Sequence, residues 1–496
     1  MKKKLFSLIL ALVLCLSAMP AYAVSWTNSD APATRSMVAA AIWELEESPV
    51  VNYLMPFTDV SQDAVYAEAV RWAAAEKITS GVSVDKFSPN SPVTREQLAV
   101  MLWRYAKHEG MDVSIGEDTN ILSYNDSFQW SDWAVPALQW AVGSGLLHED
   151  SEDNLNAQKI LTQSETAEII RLFGDKLTLS LWVDGSPAQE AITIFMQHVT
   201  TPGSPYFIPV EDRIAVFDLD GTLFCETDPN YFDYTLLKYR VLEDPSYKDK
   251  ASDFEKEVAN KIKEQNETGK SFSGLEVDHG KAVASAFKGM TPAEFSAYIQ
   301  EFKKQPMPSY DGMLRGEGWY KPMLQIVDYL QQNNFTVYVV SGTDRFIVRG
   351  IVENSPLNIP SRQIIGSDEL LVADHQGETD GLQYVFTDQD KVVLGGEFLI
   401  KNLKMNKVSV ILQEIGQQPV LSFGNSTGDS SMAEYVTTNN KYESLAFMLC
   451  CDDTVRENGS ESKAQKMFEL CGQFDWIPIS MKNDWTTIYG DGVTKK

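Results

Sequence analysis

The chain has 496 residues, with 42 Lys and Arg against 69 Asp and Glu, for a formal charge of −27. That length exceeds one compact module, and the acidic balance excludes a protein built to neutralise a nucleic-acid backbone. A hydrophobic content of 44% supports packed cores, while five cysteines without a Cys-x-x-Cys pair exclude a disulfide-dense scaffold.

At the N-terminus Lys2, Lys3 and Lys4 precede an apolar run from Leu5 to about Met19, and Ala21-Tyr22-Ala23 supplies small residues flanking a cut site. Residues 1–23 therefore read as a secretory signal peptide. A membrane anchor wants about 20 apolar residues and no cleavage site, so no transmembrane segment is expected once the signal is removed. Cleavage takes three lysines and no acids from the −27 chain, leaving −30. Cys225, Cys450, Cys451 and Cys471 remain, and outside the membrane some of them can pair, which ones the sequence leaves open.

From 24 to about 180 the chain repeats itself. One unit runs from Phe57-Thr58-Asp59-Val60 through a helical stretch (Ala69, Val70, Trp72) and Phe87-Ser88-Pro89. It ends in Thr94-Arg95-Glu96 and a second amphipathic helix with Leu98, Met101, Leu102 and Tyr105. Tyr124-Asn125-Asp126 opens another unit, which ends in the helix after Thr162-Gln163. A third copy of the second helix alone starts at Thr34-Arg35. The threonines suit helix N-caps. These motifs resemble the S-layer homology family, whose repeats usually come in threes and dock on charged secondary cell-wall polysaccharide. The resemblance implies that Arg35 and Arg95 meet anionic glycan groups. Two departures stand out: the first repeat lacks its leading helix, and Gln163 occupies an arginine position.

After Gly- and Pro-bearing loops and a short helix from Ala188 to His198 comes Ile214-Ala215-Val216-Phe217, an apolar run of the buried parallel-strand kind. It ends in Asp218-Leu219-Asp220-Gly221-Thr222. Acids at i and i+2 project to one side of a strand's carboxyl end, the edge at which open α/β sheets bind ligands. Such a pair fits nucleophilic attack by one carboxylate and acid/base work by the other. A calcium loop is excluded because Thr222 and Leu223 stand where an EF-hand needs an acid or Asn and then Gly. Residues 226–318 read as a mostly helical insertion, with helices at Asp253–Lys263 and after Thr291, and with Glu226, Tyr231 and Tyr234 as candidates to face the site. Further on, Trp319–Gln332 reads as a helix and Phe335–Val340 as a strand, with Ser341-Gly342-Thr343 opening the next helix as an anion cradle. An insertion at 366–396 reads as a hairpin with a strand around Tyr384-Val385-Phe386. Lys407 lies on an amphipathic stretch, followed by a strand at Pro419–Phe423 and Gly424-Asn425-Ser426-Thr427-Gly428-Asp429. That loop also matches a serine-nucleophile elbow, but all five histidines lie upstream of it, in the wrong order for a serine hydrolase.

In this order the motifs resemble the haloacid-dehalogenase superfamily of phosphohydrolases, especially its phosphoserine- and phosphorylcholine-phosphatase-like members. The resemblance implies a Rossmann-like α/β domain with a helical cap over 181–491, behind the all-α repeats. It implies Asp218 as nucleophile and Mg²⁺ ligand, Asp220 as acid/base and carbonyl ligand, and Asp429 completing the metal site. Ser341, with Gly342 and Thr222, would bind phosphate, and Lys407 would neutralise charge, with Lys404 as the alternative lysine. Asn425 stands where many relatives carry another carboxylate. The expectation is a secreted, wall-associated, Mg²⁺-dependent hydrolase of small phosphomonoesters. The rival is a surface-binding protein or adhesin whose α/β domain has lost catalysis.

Overall fold

The computed structural model describes Trp26 and residues 30–46, 48–111, 113–114 and 121–496, so the expected signal peptide lies outside the described residues. The chain divides into two compact units, Met1–Leu177 and Thr178–Lys496.

The first unit holds α1 (Arg35–Leu45), α2 (Ala67–Ala75), α3 (Arg95–His108), α4 (Val135–Gly143) and nearly all of α5 (Gln163–Thr178). The hydroxyls of Thr34, Thr94 and Thr162 accept the backbone N–H of Met37, Gln97 and Glu165, capping α1, α3 and α5 in the same way. The three helix starts are also tied into a closed ring of backbone hydrogen bonds. Ala33 N donates to Leu161 O (2.9 Å), Leu161 N to Val93 O (3.1 Å), and Val93 N to Ala33 O (2.9 Å). Two repeats share a second device: the Asp59 carboxylate accepts from Phe87 and Ser88 N–H, and Asp126 from Leu155 and Asn156 N–H.

Arg35 and Arg95, expected to meet glycan anions, each hydrogen-bond backbone carbonyls within the unit. Arg35 is buried; its Nε donates to Phe87 O at 2.9 Å, and its guanidinium lies 4.9 Å from the Phe87 ring centre. Arg95 reaches Leu155 O and His148 O, each at 2.9 Å. Both bind carbonyls of a neighbouring segment, because the closed ring of helix starts brings those carbonyls to the base of each helix.

The second unit is built on a seven-stranded sheet in the order β5-β4-β3-β1-β6-β7-β8. The strands are β1 (Ile214–Phe217), β3 (Thr336–Asp344), β4 (Ile364–Ala373), β5 (Val392–Ile400), β6 (Leu421–Gly424), β7 (Leu445–Cys450) and β8 (Ile477–Ser480). All neighbours pair in parallel except β4 and β5, which form an antiparallel edge hairpin. The short strands β2 (Tyr310–Asp311) and β9 (Thr494–Lys495) form a separate ribbon. All four residues of β1 are buried, as a central strand covered on both faces must be. Phe217, Phe423 and Phe447 stack across β1, β6 and β7, with ring centres 4.2 and 4.8 Å apart.

Helices α6 (Pro187–Thr200), α11 (Lys321–Gln332), α12 (Arg345–Val352), α13 (Met405–Glu414), α14 (Ser430–Thr437) and α15 (Glu461–Phe474) accompany the sheet. The insertion between β1 and α11 supplies α7 (Phe232–Lys238), α8 (Asp253–Thr268), α9 (Leu275–Ala286) and α10 (Pro292–Lys303). Its apolar residues Val258, Ile262, Phe287, Phe295 and Ile299 join one hydrophobic core with Phe217, Val339 and Phe423 of the sheet. The fold is thus the multidomain arrangement expected, helical repeats followed by a mostly parallel α/β sheet.

Two local expectations are corrected. Ser341-Gly342-Thr343 does not open a helix: β3 runs on to Asp344, whose carboxylate then caps α12 by accepting from Phe346 and Ile347 N–H. Pairing with β4 resumes after a register shift between Val340 and Asp344, which carries the strand past the point where the apolar run stops. Tyr384-Val385-Phe386 lies in the loop joining β4 to β5, with Val385 and Phe386 exposed. The hairpin is formed instead by the flanking segments, whose cross-strand partners are present.

Candidate active site

Because β1, β3 and β6 are parallel neighbours, their carboxyl ends open on the same edge. A cavity of about 450 Å³ lies there, lined by Asp218, Asp220, Gly342, Thr343 and Asn425–Asp429 from the sheet loops, and by Glu226, Asn230, Tyr231, Asp233, Tyr234, Gln265 and Glu276 from the insertion. Lys401, Leu403 and Lys404 close another side.

The turn after β1 depends on Gly221. Its φ is +76°, and a Cβ there would lie 1.9 Å from Asn425 Nδ2 and 2.7 Å from the Glu226 carboxyl. This close approach lets Asn425 Nδ2 donate to Glu226 Oε2 at 3.1 Å. Gly424 likewise gives way to Asp429, whose Cβ would lie 2.5 Å from an added methyl.

The wholly buried Lys407 ammonium donates to Asp218 Oδ1 and Asp429 Oδ1, both at 2.6 Å. The other Asp429 oxygen accepts from Asn425 N, Ser426 N and Ser426 Oγ, each at 3.1 Å. Asp218 and Asp220 diverge: Asp220 Oδ2 accepts from Thr343 Oγ1 at 2.7 Å, and its Oδ1 is buried without a hydrogen-bond partner. Between the two lysines left open by spacing, Lys407 is the one on the carboxylates, while Lys404 starts α13 with φ +53° and lines the cavity.

Burial, and next the Asp429 charge, push the Asp218 carboxyl up to about 6 despite Lys407. Asp220 is raised well above the ordinary carboxylate range by burial, then by Asp233 and Asp218. Burial lifts Glu226 to about 7 against the Asn425 hydrogen bond. Burial would lower Lys407, but Asp218 and Asp429 outweigh it and hold the ammonium charged. The site therefore gathers acids that repel one another around one cation.

The phosphate-cradle residues are distributed less directly. Ser341 is fully buried one residue behind the cavity wall, and its hydroxyl accepts from Thr343 N at 3.0 Å. Gly342 lines the cavity, while the Thr222 hydroxyl is buried without a partner. Sequence reasoning named Glu226, Tyr231 and Tyr234, but missed Asp233, Gln265 and Glu276 as cavity residues. Asp233 had a signal, since it sits between the two tyrosines; Gln265 and Glu276 had none.

The described residues contain two groups of three His, Asp or Glu side chains whose ligand atoms converge within 4.8 Å, Glu46–His108–Glu109 and Asp374–His375–Asp390. The site acids form no such trio of side chains, since Asp220 turns to Thr343. What the site offers a cation is the Asp218 and Asp429 carboxylates, which share the Lys407 ammonium beside the cavity. This all-oxygen donor set fits a hard divalent ion.

Residues 56–99 match the family model of the S-layer homology domain, and residues 215–434 that of the haloacid dehalogenase-like hydrolase. Among curated proteins the chain is similar to a "Cell surface protein" of Thermoanaerobacter kivui, 38% identical over 88 residues, covering 18% of this chain and 10% of that protein. It is also similar to the "Surface-layer 125 kDa protein" of Lysinibacillus sphaericus, 29% identical over 129 residues, covering 25% and 10%. The chain thus spans about a tenth of the length of these curated relatives. Among solved structures it is similar to a functionally unknown protein from Anaerococcus prevotii, with TM-score 0.38 and 14% identity, covering 59% of this chain and 91% of that one. Another is cytosolic 5'-nucleotidase IIIB bound to cytidine, with TM-score 0.37 and 11% identity, covering 61% and 88%. The chain carries an S-layer homology domain followed by a haloacid dehalogenase-like hydrolase domain.

Proposed function

We propose that this protein is a cell-surface phosphatase of the phosphoserine- and phosphorylcholine-phosphatase-like kind, held at the wall or S-layer by its repeats and hydrolysing small phosphomonoesters. The observation that carries the reading is the buried Lys407 ammonium joined to Asp218 and Asp429, two carboxylates that line one cavity with Asp220.

In this reading Asp218 attacks phosphorus in line. The Asp218 oxygen–phosphorus bond forms as the ester oxygen–phosphorus bond breaks, and the proton on Asp220 passes to the leaving oxygen. Asp220, now ionised, takes a proton from water as that water attacks the aspartyl-phosphate, releasing inorganic phosphate and restoring Asp218. The raised proton affinity of Asp220 supports its starting the cycle as an acid. Lys407 holds the Asp218 carboxylate in place, and Gly342, Ser426 and Thr427 border the space for the phosphoryl group. Asp218, Asp429 and the Asp220 carbonyl would hold Mg²⁺, which when bound offsets the negative charge of phosphate. Insertion residues Glu226, Tyr231, Asp233 and Tyr234 line the same cavity and would limit the water that reaches it.

Activity of the secreted chain on p-nitrophenyl phosphate tests the reading. Turnover should stop with EDTA and return with Mg²⁺, and Asp218→Asn should be folded and inert. A folded wild-type protein without turnover on a panel of phosphomonoesters would instead support the non-catalytic surface protein. The repeats should retain the chain on purified secondary cell-wall polysaccharide; recovery in the supernatant would refute anchoring.

A further inference from the structure

The mechanism above does not use a second set of buried polar groups. Asp233 on α7 is 2% exposed and His279 on α9 is 2% exposed, and both belong to the insertion. Thr343 Oγ1, at the end of β3, lies 2.7 Å from Asp220 Oδ2 and 3.3 Å from Asp233 Oδ2. His279 Nδ1 lies 3.7 Å from that same Asp233 oxygen, and its ring packs on Tyr234 with centres 4.1 Å apart. One hydroxyl on the sheet is therefore the junction between the loop carrying Asp220 and two helices of the insertion.

We infer that Thr343 is a positioning residue for Asp220: its hydroxyl fixes one oxygen of that carboxyl, with Asp233 of the insertion packed beside the same hydroxyl. The inference rests on the phosphatase reading. A hydroxyl has one proton to give, and the shorter contact assigns it to Asp220. Asp220 Oδ2 is then engaged, while Oδ1 has no partner and is left for the substrate's leaving oxygen. Without the hydroxyl, the Asp220 and Asp233 carboxyls would face each other with nothing between them, and Asp220 would swing away.

A role through Asp220 has a signature that a merely structural role lacks. Protonation of the leaving oxygen matters little when the leaving group is a stable anion and much when it is not. We therefore compare kcat and KM on 2,4-dinitrophenyl, p-nitrophenyl and phenyl phosphates for the wild-type protein, Thr343→Val, Thr343→Ser and Thr343→Ala, with Mg²⁺ present. Thr343→Val should lose at most about threefold in kcat on the dinitrophenyl ester and at least about thirtyfold on the phenyl ester, with KM within about twofold. Thr343→Ser, which keeps the hydroxyl, should return to within about threefold of wild type on every ester. Thr343→Ala, which also lacks the hydroxyl, should show the same trend, and it carries the test if Thr343→Val does not fold. Equal losses across the three esters, or no loss, would overturn the inference while leaving the phosphatase reading intact. A wild-type protein inert on all three would overturn both.

Discussion

Replacing Lys407 by Met keeps most of the side-chain volume and removes the one ammonium that Asp218 and Asp429 share. At an effective dielectric of about 20, each 2.6 Å pair has a gross attraction of roughly 6 kcal/mol. Desolvating the three buried charges offsets much of this at several kcal/mol apiece, so the net value of the triad is small. The variant differs because it keeps the desolvation of two carboxylates and loses their partner, which should cost about 3–5 kcal/mol. Its pH dependence follows from the carboxyls. Asp218 already titrates near 6 in the intact site, above its unfolded value, so its ionisation disfavours the fold as pH rises through that region. The Met variant should therefore be weakest near pH 8 and approach wild type near pH 5, where protonation removes the uncompensated charge. Mg²⁺ should restore part of the loss at pH 8, because a cation can replace the ammonium between the two oxygens. Urea unfolding of the metal-free protein at both pH values, followed by tryptophan fluorescence with the two units treated as separate transitions, measures it. Equal midpoints at pH 8, or a penalty that does not change with pH, would refute the charge argument.

Two further outcomes are expected. Glu369 on β4 is 5% exposed with both carboxyl oxygens unpartnered, and burial, then Asp344 and Asp368, raise it to about 9. A raised acid stabilises the fold fully only below its unfolded value and loses that contribution as pH rises toward 9. Glu369→Gln should thus match wild type near pH 4.5 and exceed it by roughly 2–4 kcal/mol at pH 7.5 in denaturant titrations; a gap that stays constant with pH would contradict this. Gly221→Ala must hold φ near +76° and push the Asn425 amide from Glu226. A cost of about 2 kcal/mol or more follows, read as a fall in Tm with reduced turnover, and an unchanged Tm would refute the steric account.

The sequence by itself determined the elements whose information is local. The apolar β1 run followed by Asp-x-Asp-Gly-Thr, the Thr-capped helices of the repeats, and the capping box at Thr291 are readable from neighbours a few residues apart. Tertiary structure alone decided what depends on distant partners. Lys407 rather than Lys404 meets Asp218 because α13 presents that side chain to a strand 189 residues away. Arg35 turns inward because the ring of helix starts brings the Phe87 carbonyl, 52 residues away, under it. β3 extends through Ser341-Gly342-Thr343 because β4 supplies its pairing partners, and the 375–390 segment is a loop because it lies beyond the last β4–β5 pairing. Asp233 reaches Thr343 only when an insertion helix folds over the sheet edge, 110 residues apart in the chain. Hydrophobic period and capping chemistry act over one turn or one strand, whereas a buried charge's partner is fixed by the packing of the whole unit.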